Sequence, residues 1–230
     1  MVDVAANYER ILRQIGEAAA RSGRDAHSIK LLAAAKSQSV DAIRVALAAG
    51  VTLVGENYVQ EAAEKKRQIS ALIEWHMIGH LQRNKAKVAA EMFDVIESLD
   101  NLPLARLLND EGRKRGKIIR AFLEINLGGE DSKSGMTENK LSPLLEELGK
   151  FSNLRVEGLM TVPPFKNNPE DVRPYFRALR ELKERLCELR IPHMDLSELS
   201  MGMTHDYTVA IEEGATIVRI GTALFGPRSH

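Results

Sequence analysis

Little cysteine, no excess of charge and no long apolar run distinguish this 230-residue chain. Its one cysteine, Cys187, has no partner for an internal disulfide, which suits a reducing compartment. Within Leu186-Cys187-Glu188-Leu189 the thiol reads as a packing residue. The 32 basic residues balance 32 acidic ones, so neither a nucleic acid nor an anionic membrane is an expected partner through bulk charge. The basic cluster Arg113-Lys114-Arg115-Gly116-Lys117 closes a predicted helix, where cations complement the dipole. No segment approaches the roughly 18 apolar residues of a membrane span, and residues 1–10 have no basic stretch leading into an apolar core. A cytoplasmic protein is expected.

Several chemical signatures are also missing. There is no Gly-x-Ser-x-Gly elbow, so a serine hydrolase has no support. A Walker loop needs glycine directly before its lysine, whereas Ser132 precedes Lys133 in the stretch from Gly128 to Gly135. His76 and His80 are four apart on a predicted strand and its following loop, with no cysteine or third histidine near. No metal is expected.

What the chain does have is alternation. Residues 4–22 form a predicted amphipathic helix, with Tyr8, Ile11, Leu12, Ile15 and Ala19 at helical spacing. Strand-like runs follow at 29–35, 52–55, 75–78, 95–98, 118–126, 156–161, 196–200 and 216–220. Helical segments fall between them at about 40–49, 58–72, 83–91, 101–115, 137–150, 169–190 and 205–213, several ending at glycines such as Gly50, Gly116 and Gly214. Eight strand–helix units predict a (β/α)8 barrel of TIM type with an extra N-terminal helix, a doubly wound open sheet being the alternative. No linker divides the chain, so residues 1–230 read as one domain.

The barrel assigns the chemistry to its C-terminal strand ends. Lys36 closes the apolar run Leu31-Leu32-Ala33-Ala34-Ala35 and is followed by Ser37-Gln38-Ser39. Such a strand delivers an amine to the active face, where partly dry surroundings make lysines nucleophilic and able to form Schiff bases. Taken alone, the segment also fits a lysine that is merely the first solvated residue after a strand. Phosphate often binds after strands 7 and 8 of such barrels. Ser200-Met201-Gly202-Met203-Thr204 and Arg219-Ile220-Gly221-Thr222 fall there, rich in residues that let backbone amides and hydroxyls approach phosphate oxygens.

These segments, with Gly55-Glu56-Asn57-Tyr58-Val59-Gln60-Glu61, Trp75-His76-Met77-Ile78-Gly79-His80-Leu81-Gln82-Arg83-Asn84-Lys85, Lys133-Ser134-Gly135 and Gly158-Leu159-Met160-Thr161, resemble the pyridoxal phosphate homeostasis proteins. Those proteins are single-domain relatives of the alanine racemase N-terminal barrel, and the motifs run in family order from about residue 7 to 226. The resemblance implies a fold-type III barrel without the racemases' second β-domain. It implies that Lys36 holds pyridoxal 5′-phosphate (PLP) as an internal aldimine. Ser200, Gly202, Gly221 and Thr222 would cradle the phosphate, Arg219 would face the pyridine nitrogen, and Asn57 would lie near the lysine and ring. The family commonly has serine where this chain has Thr204, which keeps the hydroxyl. For His76, a structural role beside the cofactor competes with a chemical one. For Glu56, partnership with Lys36 competes with a salt bridge within the rim.

Two functions then compete. A carrier would store or deliver PLP, with PLP-dependent apo-enzymes as partners. A racemase needs an acid–base group on each face of the substrate carbon, of which Lys36 supplies one. The resembling racemases take the other, a tyrosine, from a second domain and a partner subunit, and this chain ends at His230, so a monomeric carrier is expected. Of Tyr8, Tyr58, Tyr175 and Tyr207, the last is the candidate substitute. A cation opposite the pyridine nitrogen also weakens the cofactor as an electron sink. A class I aldolase using Lys36 without cofactor is a third reading.

Overall fold

The computed structural model describes residues 2–129 and 134–227. Ser132 and Lys133 lie outside the described residues. Eight parallel strands close into one barrel, in the order β1 to β8 around it, with β1 pairing β8. The strands are β1 (Lys30–Ala34), β2 (Leu53–Glu56), β3 (Glu74–Met77), β4 (Val95–Leu99), β5 (Ile119–Glu124), β6 (Leu154–Met160), β7 (Met194–Met203) and β8 (Ile217–Ile220). The open-sheet alternative is thereby excluded.

Helix α1 (Val4–Arg21) precedes the barrel. The Asp3 carboxylate caps it by accepting from the Ala6 amide, and Ile11, Ile15, Ala18 and Ala19 form its buried stripe. The helices between strands are α2 (Val40–Ala48), α3 (Val59–Gln68), α4 (Ala86–Met92), α5 (Leu102–Arg115), α6 (Glu138–Leu148), α7 (Arg173–Glu188) and α8 (Tyr207–Glu212), with a single turn α9 (Thr222–Phe225) after β8. Their apolar faces pack on the outer face of the barrel in one continuous core. Inside the barrel a second, small cluster joins Leu32, Leu53, Val95, Phe122, Met160 and Ile217. The rest of the interior is polar: His76, Glu97, Ser200 and Arg219 are buried there and bonded across it.

Three expectations need correction. Helix α3 stops at Gln68 rather than 72, leaving Leu72 fully exposed in the following loop. Strand β7 runs on through Met203 instead of ending at Ser200. Cys187 is exposed rather than packed. Helix α7 buries Phe176, Leu179, Leu182 and Leu186, and the residue after Leu186 is rotated about 100° off that stripe.

Candidate functional site

A cavity of about 330 Å³ opens at the C-terminal mouth of the barrel, within the range usual for small-molecule sites. Lys36, Asn57, Arg219, Gly221 and Thr222 line it, together with Thr204 and His205. Five of the seven candidate binding residues thus share one wall system, although they come from three separate stretches of chain.

Lys36 stands two residues beyond β1, half-buried, and among the described residues no hydrogen bond or ion pair engages its amine. The β1–β2 pairing continues past the strand, with the Ala35 amide donating to Gly55 O at 2.9 Å. Ser37 then turns at φ +62°, the left-handed region that a side chain disfavours. Asn57 follows β2 directly. Gly79, after β3, packs against it so closely that a Cβ there would lie 2.5 Å from Asn57 O.

Across the cavity, the loops after β7 and β8 are stitched together by the Ala223 amide, which donates to Thr204 Oγ1 at 3.2 Å. Gly221 and Thr222 form the adjoining wall. Ser200 and Gly202 stand elsewhere. Ser200 is fully buried inside the barrel, donating to Glu97 Oε2 at 2.5 Å and accepting from Arg219 Nη1 at 2.8 Å. Gly202 has φ +89°, and a Cβ there would meet Ala210 at 2.5 Å. Its place is therefore set by the close approach of α8. Neither lines the cavity: the Ser200 side chain faces Glu97 and Arg219 inside the barrel, and Gly202 faces α8.

Arg219 is the buried cation of the cavity. Its Nη1 donates to Ser200 O at 2.7 Å as well as to the Ser200 hydroxyl, and its Nη2 donates to Thr161 O at 2.7 Å. Burial pulls the guanidinium's pKa down, while Glu97, Glu124 and Asp206 pull it back. An arginine stays charged regardless.

Behind Arg219 runs a relay that crosses the barrel. Glu97 takes the Ser200 hydroxyl on one oxygen and meets His76 Nδ1 at 2.6 Å with the other. Burial depresses the imidazole, but Glu74 and Glu97 outweigh it and hold His76 up at about 9. Glu74 lies 3.8 Å from Nε2, an ion-pair rather than a hydrogen-bond distance. His76 thus sits beneath the site, favoured in its charged form by two carboxylates, with Glu97 and Ser200 between it and Arg219. His80 points elsewhere, to Asp100 at 3.2 Å. Burial, with Asp100 adding, pushes the Glu124 carboxyl up to about 7 against the pull of Arg219.

Glu56 partners Lys65, not Lys36. Lys65 Nζ donates to Glu56 Oε1 at 2.7 Å, to Glu61 Oε1 at 2.6 Å and to Ala35 O at 2.8 Å. Burial pushes the Glu56 carboxyl up and Lys65 pulls against it. Tyr207 is buried with its hydroxyl donating to Gln14 of α1, outside the cavity. Tyr8 donates to Gly50 O, and Tyr58 is exposed.

Glu97 and Lys65 were missed by sequence reasoning. A lone carboxylate in Val95-Ile96-Glu97-Ser98, inside a buried strand, was a usable signal. Lys65 had only its spacing of four from Glu61, inside a charge-rich helix that resembles a solvated face.

The sequence matches the family model of the alanine racemase N-terminal domain over residues 6–229. A pyridoxal phosphate homeostasis protein of Aquifex aeolicus is 45% identical over 96% of each chain. That of Escherichia coli K12 is 39% identical over 100% of this chain and 99% of its own. The chain belongs to the pyridoxal phosphate homeostasis protein family. Among solved structures, PipY of Synechococcus elongatus with PLP bound is 33% identical and superposes with a TM-score of 0.85 over 97% of this chain and 100% of its own. An alanine racemase of Clostridium difficile shares the barrel at 15% identity and a TM-score of 0.75, this chain spanning 56% of its length. For that protein the likeness is one of fold. Within the family, the lysine-bearing turn after β1 and the paired loops after β7 and β8 form one cavity in this member.

Proposed function

We propose that this chain binds pyridoxal 5′-phosphate in the barrel-mouth cavity, linked covalently to Lys36, and serves PLP homeostasis by holding and delivering the cofactor in the cytoplasm. The observation that carries this reading is the Lys36 amine, without a partner among the described residues, facing the same cavity as Gly221, Thr222 and the buried Arg219. The donor set fits the group: an amine for an aldehyde, hydroxyl and glycine backbone for a phosphate, and a cation for the ring edge. When bound, the cofactor supplies an electrophilic aldehyde conjugated to an electron-withdrawing ring. The names of the relatives and the PLP-bound PipY support the same ligand.

Thr222 and the backbone around Gly221 hold the phosphate end, aided by Thr204. Arg219 presents a permanent positive charge to the ring edge, which favours an unprotonated ring nitrogen and a poorer electron sink. Asn57 packs near the lysine side. Holding and delivery are favoured over racemisation because no tyrosine lines the cavity among the described residues. His205, which lines the cavity, bonds through Nε2 to Asn167 O at 3.1 Å and packs at a tilt against Phe165, ring centroids 5.4 Å apart.

The test is a visible spectrum of the purified chain with PLP, before and after borohydride, with peptide mapping. The expected result is an absorbance band that collapses on reduction and leaves a pyridoxyl group on Lys36. Lys36→Ala is expected to lose the band and the adduct but keep weaker binding of PLP. A colourless protein after incubation with PLP would overturn the reading, and trapping by borohydride with a carbonyl substrate alone would point to an aldolase. Steady racemisation of any amino acid by the loaded protein would replace the carrier with an enzyme.

A further inference from the structure

Beneath Lys36 lies a cluster that its own side chain does not join. Lys65 is buried, and its ammonium donates three hydrogen bonds, to Ala35 O, Glu56 Oε1 and Glu61 Oε1. An ammonium has three donors, so its capacity is filled. The oxygen of Glu61 that receives Lys65 also accepts the Ser37 amide at 2.7 Å. The carbonyl of the residue before Lys36 and the amide of the residue after it are therefore both held by one side of α3. Lys36 lies between those grips, and directly after the second the backbone takes the left-handed turn at Ser37. A non-glycine residue keeps such a conformation when its surroundings over-determine it.

We propose that Glu61 and Lys65 are positioning residues that clamp the turn on both sides of Lys36 and aim its amine into the cavity; this rests on the PLP reading. In the step they serve, the unprotonated Lys36 amine adds to the aldehyde carbon, both amine protons pass to the aldehyde oxygen, and one water leaves as the carbon–nitrogen double bond forms. Neither Glu61 nor Lys65 touches the reacting atoms. Their contribution is orientation, and a displacement of about 1 Å costs on the order of 100-fold in such steps.

The experiment measures two quantities for the full chain with PLP: the rate at which the Lys36 band grows, and binding of PLP in a Lys36→Ala background. Glu61→Gln keeps the shape of the side chain and removes its charge. Lys65→Met is paired with Lys65→Met/Glu56→Gln, which spares the fold a buried unpaired carboxylate. The expected result is band growth slowed about tenfold or more by Glu61→Gln and by either Lys65 variant. In the Lys36→Ala background the same changes are expected to leave PLP affinity within about twofold, since additivity holds when no shared contact is lost. Equal losses in both backgrounds would mean that the cluster merely supports the fold, and the proposal would fall. Band growth at the unsubstituted rate in all variants would overturn the clamp alone. No band on the unsubstituted chain would overturn the PLP reading itself and the clamp with it.

Discussion

Cations at the two ends of the barrel are held in different ways. At the N-terminal end, Lys30 meets Glu198 at 2.5 Å, and Arg120 is gripped by Glu157 at 2.6 Å and by Glu74. At the C-terminal end, Lys36 has no partner among the described residues, and the hydrogen bonds of Arg219 run to the neutral oxygens of Ser200 and Thr161. The carboxylate nearest Arg219 in the relay, Glu97, acts through the Ser200 hydroxyl. Charges at the lower end are neutralised where they stand, which serves the fold. Lys36 and Arg219 at the upper end, unlike the filled Lys65 beneath them, keep field and donors available to a ligand.

The contrast is open to direct attack. Arg120→Met leaves Glu157 without its cation and Glu74 with only the His76 imidazole at 3.8 Å. It is expected to cost about 2–3 kcal/mol in denaturant unfolding, less than a fully buried pair because Arg120 is partly exposed. Labelling of Lys36 by PLP should be unaffected. Lys36→Met should show the reverse, with stability within about 0.5 kcal/mol and no labelling. If both variants lost both properties, the two ends would not be separable.

The relay supplies a smaller effect with a defined sign. His76 is held up at about 9 in the fold against an ordinary 6.5. Its protonation therefore stabilises the native state fully below about 6.5, and the contribution is lost as pH rises through about 9. Between those values the unfolding free energy should fall by about 1–2 kcal/mol more in the unsubstituted chain than in His76→Gln. Glu124, raised to about 7 from 4.5, also lowers stability as pH rises, but in the window from 4.5 to 7. Parallel pH curves for the parent and His76→Gln would show that His76 is neutral in the fold.

The smallest effect belongs to the rim. Thr222→Ala removes one hydroxyl from the cavity and should weaken PLP binding by about 0.5–1 kcal/mol without moving the absorbance band. A band shift would place Thr222 at the ring and not at the phosphate end.

Much of this was legible in the chain. The eight strand–helix units were readable because burial on a parallel barrel leaves compact apolar runs between amphipathic helices. Lys36 was readable because a lysine closing such a run has one place to go. Ser200 and Gly202 stand off the cavity wall for a physical reason. Ser, Gly and Met at the end of a strand have the composition of a loop, yet β7 continues through Gly202 with a register shift against β8 between Ser200 and Met203. Ser200, paired with Met160 and Ile217, faces inward with its hydroxyl on Glu97.

The partners of Glu97 and Lys65 were invisible for a different reason. Glu97 is 103 residues from Ser200, and Lys65 is 30 from Ala35. Contacts at such separations leave no local period in the sequence. The sequence by itself determined the alternation, the barrel and the residues that reach its mouth, because those follow from local burial patterns and chain order. Closure of the barrel decided which buried groups meet across its interior, and so whether a given lysine, serine or carboxylate serves the ligand or the scaffold that aims it.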